Sequence, residues 1–269
     1  MHCLEYALLC LLGVGLCAGT ADAMKMVGHR GESYTAPENT LAAANLAWKN
    51  HVPAVECDIH LTKDKRIILM HDYTTKRTTG VDLKISETNS DELRKLDAGS
   101  WKDKAYAGER IPFLEESIAG IPAKGKLVVE IKCGPEILPY LSKIIADSGK
   151  AKQIELIGFD FETMVEVKKV MPKILNFWLT GTKKNADTGA WLPNDLALVD
   201  KVKAGGLDGI DAHSAGVTKA FADALKAAGL KLYVWTVDDP VEAKRMKDLG
   251  ADALTTNRPS WMKEQLKGK

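Results

Sequence analysis

Two apolar runs of strand character, residues 53–60 and 66–71, are separated by only "LTKDK". A parallel crossover needs about a dozen residues or more, so these two runs must pair antiparallel, as a hairpin. The remaining strand-like runs are 25–29, 126–131, 153–159, 174–179, 208–212, 231–236 and 252–255. Amphipathic helical patterns alternate with them at 39–50, 135–148, 161–170, 194–204, 217–228 and 240–249, several entered at Asn, Asp or Pro and left at Gly. Nine strands less one hairpin arm leave eight that can run parallel. The expectation is an α/β fold, a (β/α)8 TIM barrel with an antiparallel hairpin after strand 2, in about 245 residues. Residues 72–112, with "SDELRKL" and "GERIPFLEE", become a small insertion able to fold over the top face.

Composition sets limits on partners. With 269 residues and 45% hydrophobic content the chain can bury one large core, and a formal net charge of +1 offers no basic field for nucleic acid or an anionic membrane. Any phosphate binding must therefore be local. The start reads differently: "YALLCLLGVGLCAG" followed by "TADA" has the form of a cleaved export signal over residues 1–23, although Glu5 stands where a basic n-region is usual. The mature domain is then 24–269, periplasmic or secreted, with no stable membrane insertion. Cys3, Cys10 and Cys17 leave with the signal, and Cys57 and Cys133 remain as buried thiols or one bridge.

In a barrel, chemistry collects at the carboxyl ends of the strands. There the sequence places His29 and Arg30, then Glu56 and Asp58 two residues apart on one strand face, His71 on the returning arm, Glu130 and Lys132, and Trp235. Three carboxylates converging on one point repel unless they hold a cation, and an all-oxygen donor set suits one divalent ion, Ca2+ or Mg2+. Arg30 offers a fork matched to phosphate oxygens and Lys132 a point charge. Two histidines can divide general acid and general base work. The set describes cleavage of a phosphodiester. His60 shares the face of Glu56 and Asp58, but its place further along the hairpin suggests the surface. His213 reads as a residue of the mouth. Glu38 and Asn39 are expected to cap the first helix, with Glu38 also a candidate to orient a site residue.

The ordered set "HRG", "PENT", "ECDIHLTKD", "HD", "VVEIK", "VWTVDD" and "TNRP", with "LDAGSW" and "GERIPFLEE" in the insertion, resembles the glycerophosphodiester phosphodiesterases over nearly all of residues 26–261. The resemblance implies a (β/α)8 barrel acting on small-molecule glycerophosphodiesters, the deacylated phospholipids. It further implies His29 and His71 as the acid–base pair, and Glu56, Asp58 and Glu130 as the metal ligands. Arg30 and Lys132 would lie at the phosphate, with Trp235 as a wall beside the glycerol. The chain departs from the family pattern at Cys57, at Lys65 and at Asn257, where the family often has Asp. The alternatives are a phospholipase-D-like barrel acting on lipids, against which the polar insertion argues, and a non-catalytic phosphate-binding barrel, which should have lost a histidine or a carboxylate.

Overall fold

The structure is a computed structural model and describes residues 24–267. The expected export signal at 1–23 lies outside the described residues. The first half of the chain runs β1 (Lys25–Gly28), α1 (Leu41–Lys49), β2 (Ala54–Leu61), β3 (Ile67–Leu69), α2 (Lys76–Thr79), α3 (Ser90–Leu93), α4 (Leu114–Ala119), β4 (Lys126–Ile131) and α5 (Leu138–Asp147). The second half is strictly alternating: β5 (Ile154–Gly158), α6 (Phe161–Val170), β6 (Leu175–Thr180), α7 (Ala197–Ala204), β7 (Gly209–His213), α8 (Lys219–Ala227), β8 (Lys231–Trp235), α9 (Pro240–Asp248), β9 (Ala253–Thr256) and α10 (Pro259–Lys267).

Eight strands pair parallel in the ring β1-β2-β4-β5-β6-β7-β8-β9, which closes where β9 meets β1. β3 stands outside the ring and pairs antiparallel with β2, Ile59 facing Leu69 and Leu61 facing Ile67, and its other edge makes a single antiparallel bridge from Ile68 to Phe113. The five-residue link therefore acts as a hairpin turn, with Lys65 at φ 63° in a left-handed conformation where glycine is the unstrained choice.

Strand alternation splits the core in two. Val27, Ala54, Val128, Ile157, Phe177, Leu179, Tyr233 and Ala253 fill the barrel interior. The opposite faces, among them Val55, Cys57, Val129 and Ile210, pack on the helices. Cys57 thus faces away from the barrel interior, and both it and Cys133 are free thiols. The interior also holds a polar floor, where Lys25 Nζ donates to Glu155 at 2.8 and 2.6 Å and the Tyr233 hydroxyl donates to Glu155 at 3.0 Å. Such a satisfied buried pair fixes geometry more than it adds stability.

The insertion has a small core of its own: Ile85, Leu93, Ala98 and Ile111 pack on Ile68 and Met70 beside the hairpin. Three helices, α2, α4 and α10, lie outside the sequence assignment, and α2 and α4, at 4 and 6 residues, are too short for a clear amphipathic period. One cap differs too: Thr40, not Glu38 or Asn39, caps α1, its hydroxyl accepting from the Ala43 N–H at 3.2 Å. Both displaced residues are drawn into the site described next.

β1 ends in a tight turn in which Arg30 (φ 54°) and Gly31 (φ 91°) are both left-handed. A Cβ on Gly31 would lie 2.5 Å from the Ala43 backbone, so α1 seats directly on the turn. Gly31→Ala is expected to destabilise by about 2–4 kcal/mol, adding left-handed strain to overpacking. A denaturant melt superimposable on that of the unmodified chain would contradict this.

Candidate active site

The β2–β4 register aligns Asp58 with Glu130, and Glu56 precedes Asp58 by one strand period on the same face. Ligand atoms of all three carboxylates lie within 4.8 Å of one another. The β1 turn carries His29 and Arg30, the hairpin arm delivers His71, Lys132 follows β4, and Trp235 ends β8. One pocket of about 100 Å³ is lined by His29, Arg30, Glu56, His71, Glu130, Lys132 and Trp235. Asp58 is fully buried within the same acidic cluster. Every residue the sequence nominated is therefore gathered at one end of the barrel.

The cluster is short of positive charge. Arg30 reaches Asp58 through Nε at 3.1 Å and Glu38 through Nη1 at 2.8 Å, and its backbone N–H donates to Glu56 at 2.8 Å. Lys132 bonds Glu130 at 2.8 Å and approaches Asp58 at 3.5 Å. Against burial, which raises it, Arg30 and Lys132 hold the Asp58 carboxyl below its usual range. Burial, then Asp58, pushes Glu130 up to about 7. Burial and the two neighbouring carboxylates push Glu56 well above its usual range. Glu56 Oε1 and Asp58 Oδ1 are buried without a hydrogen-bond partner among the described residues. Orphaned, crowded carboxylate oxygens are what a hard cation would satisfy, so the donor set fits one.

The two imidazoles are oriented differently. Asn257 donates through Nδ2 to Asp238 at 2.6 Å, which turns its Oδ1 toward His29 Nδ1 at 2.7 Å. An amide oxygen only accepts, so His29 carries its proton on Nδ1 and keeps Nε2 as an acceptor. Burial, helped by the Arg30 charge, lowers this imidazole to about 4, leaving it neutral at pH 7. His71 Nδ1 instead meets the Asp72 carboxylate at 2.6 Å. Hydrogen bonds from Arg77 lead the causes that hold Asp72 down at about 2, so it is ionised and fixes the His71 ring through Nδ1.

With this geometry in place, comparison with known proteins identifies the lineage. The model of the glycerophosphoryl diester phosphodiesterase family matches residues 29–260. The chain belongs to that family. A glycerophosphodiester phosphodiesterase of Caldanaerobacter subterraneus subsp. tengcongensis is 32% identical over 239 residues, covering 87% of this chain and 94% of the relative. One from Bacillus subtilis is 26% identical over 265 residues, covering 92% and 88%. Among solved structures, an Oleispira antarctica phosphodiesterase in complex with the product sn-glycerol-3-phosphate superposes with a TM-score of 0.83 at 27% identity, covering 91% of this chain and 98% of that one. This glycerophosphodiester phosphodiesterase family member is a phosphodiester hydrolase.

Several residues of this family member's site escaped the sequence reading. Asn39 spans the pair it supports: its Nδ2 donates to Asp58 Oδ2 at 2.8 Å and its Oδ1 accepts from the Asp58 N–H at 3.0 Å. Glu38, which the sequence did offer as a residue orienting the site, joins Arg30 to Arg77, which donates to it at 2.8 and 2.7 Å and also holds Asp72. Asp72 adjoins His71 in sequence and could have been found on that signal. Arg77 comes from the insertion and carries none. The surface expected for His60 is corrected: it is buried, bonded through Nε2 to the His71 carbonyl at 3.3 Å and covered edge-on by Tyr73. The insertion covers this end of the hairpin, so distance along the arm does not translate into exposure. His213 is packed between Trp191 and Trp235, with ring centroids at 4.9 and 5.3 Å.

Proposed function

We propose that the chain hydrolyses glycerophosphodiesters to sn-glycerol 3-phosphate and an alcohol, with one divalent cation, Ca2+ or Mg2+, at Glu56, Asp58 and Glu130. The observation that carries this reading is the pocket wall itself, where orphaned carboxylate oxygens share one pocket with two histidines, one held at Nδ1 by an amide oxygen and the other by a carboxylate. A cation held there supplies Lewis-acid polarisation of the phosphoryl group. Arg30 and Lys132 bind the phosphate oxygens and stabilise charge developing on them.

The neutral His29 takes the proton of the glycerol 2-hydroxyl through Nε2 as that oxygen attacks phosphorus. His71, held through Nδ1 by the Asp72 carboxylate, gives a proton from Nε2 to the departing alcohol oxygen. Water then opens the cyclic phosphate with the two roles exchanged. A groove of about 610 Å³, lined in part by Tyr73, Lys84, Glu136 and Phe159 and sharing Glu130 and Lys132, leaves room for varied alcohols. The apolar run at 1–23 supports export of the enzyme to a periplasm or the medium.

Release of glycerol 3-phosphate from glycerophosphocholine and glycerophosphoethanolamine tests the reading. Turnover is expected to vanish on chelation and to return with calcium or magnesium. A folded, metal-supplemented protein inert toward both esters would refute it.

A further inference from the structure

One wall of the pocket has no part in the chemistry so far. In the eight-membered ring, β7 stands directly across the barrel from β2. Asp211 lies at the middle of β7, in register with Leu179 on one side and Tyr233 on the other. It is 1% exposed, yet it lines the same pocket as His29, Glu56 and His71. Its Oδ1 is buried without a hydrogen-bond partner among the described residues. Ile157, Leu179 and Trp235 line the same pocket as apolar surface. The Trp235 indole N–H donates to the Asp211 backbone carbonyl at 3.1 Å, locking the two strands' side chains in relation to each other.

A buried carboxyl oxygen left orphaned costs stability, and none of the described residues hydrogen-bonds Oδ1. Asp211 faces the pocket from the strand opposite the one that carries Glu56 and Asp58, outside the groove that takes the departing alcohol. We propose that Asp211 is a specificity-determining residue whose carboxyl hydrogen-bonds the free terminal hydroxyl of the substrate's glycerol. This deepens the diesterase reading and rests on it. Burial, then the Glu130 charge, pushes the carboxyl well above its usual range, so the group can donate as well as accept without repelling a phosphate. A hydroxyl needs both capacities from one partner, and an apolar wall alone could not tell a hydroxyl from a methyl group.

The test compares glycerophosphocholine with the phosphocholine ester of propane-1,2-diol, which keeps the attacking hydroxyl and lacks the terminal one. The unmodified enzyme is expected to prefer the glycerol ester by about 10- to 100-fold in kcat/KM, mostly through KM. Asp211→Leu should bring that ratio close to one by losing the glycerol ester selectively, while Asp211→Asn, which still donates and accepts, should keep part of the preference. Because the carboxyl has no partner to lose, Asp211→Leu should melt no lower than the unmodified chain, and a large fall in melting temperature would mark a structural role instead. Should the leucine variant fail to fold, the isosteric Asp211→Asn alone decides, since an unaltered ratio there with Asn and no preference in the parent overturns the proposal. Equal loss on both esters in Asp211→Leu overturns it as well. A parent enzyme inert on both esters strikes the diesterase reading itself. Calorimetric binding of glycerol 3-phosphate against propane-1,2-diol 1-phosphate then decides Asp211 separately: equal affinities would refute its role.

Discussion

Replacing His29 by alanine is expected to lower kcat on a glycerophosphodiester by about 10²- to 10⁴-fold, the usual worth of a positioned general base. KM should change little, because the proposed phosphate contacts are Arg30 and Lys132, not His29. The pH profile separates this from a merely structural loss. His29 is lowered to about 4, from an ordinary value near 6.5, by burial and by Arg30. A base must be deprotonated to act, so the acid limb of kcat/KM should lie well below pH 6. A bound cation would push the same imidazole further in the same direction. Linkage has the same sign: between pH 6.5 and 4 the unfolded chain binds the His29 proton and the folded chain does not. The stability contributed is therefore complete above 6.5 and is lost as pH falls toward 4. Asn257→Leu removes the acceptor that fixes the tautomer and should lower kcat while leaving kcat restorable in Asn257→Asp, which also accepts from Nδ1. An acid limb at 6.5 in the unmodified enzyme, or full activity of His29→Ala, would refute the assignment of the base.

The nine strands were legible in the sequence because each is bounded by a physical signal that survives burial. The five-residue link excluded a crossover, the helical periods excluded more strands, and period-two alternation placed Glu56 and Asp58 on one face. The register that sets Asp58 against Glu130 could not be read, yet any closed barrel brings strand ends together, so the cluster followed from topology. What escaped were residues whose role depends on a neighbour distant in sequence. Asn39 looks like a cap residue because capping is local. Its actual partner, Asp58, is 19 residues away, and although Glu38 could be read as orienting the site, its partner Arg77 is 39 residues away. His60 was misplaced for the same reason, since only the folded insertion buries it. Asp211 sits in "DGIDAHS" with nothing beside it to suggest a site. Its unpaired oxygen is a property of the packed barrel alone.

Glu56→Gln is expected to abolish turnover and at the same time to make the metal-free protein more stable. The two effects have one cause. Without a cation, Glu56, Asp58 and Glu130 share a dry site with ligand atoms within 4.8 Å, and only Arg30 and Lys132 offset them. Burial and the like charges raise Glu56 well above its usual range, so its ionised form is costly in the apo site, a cost that a neutral amide of the same shape avoids. The Glu56 Oε2 bond from the Arg30 N–H survives in the amide oxygen, so the β1 turn is preserved. In the unmodified chain, calcium or magnesium at about 100 times its dissociation constant should add about 2.7 kcal/mol of stability, seen as a rise in melting temperature that chelator reverses. Glu56→Gln should begin from a higher apo melting temperature and gain little from either ion. Glu130→Gln should behave alike, with a smaller apo gain because Lys132 already pairs with Glu130 at 2.8 Å. Calorimetry in the presence and absence of each ion reads all of these without reference to activity. A melting temperature insensitive to both ions in the unmodified chain would remove the cation from the site, whatever the turnover assay returned. A glutamine variant stabilised by metal as strongly as its parent would move the ligands elsewhere.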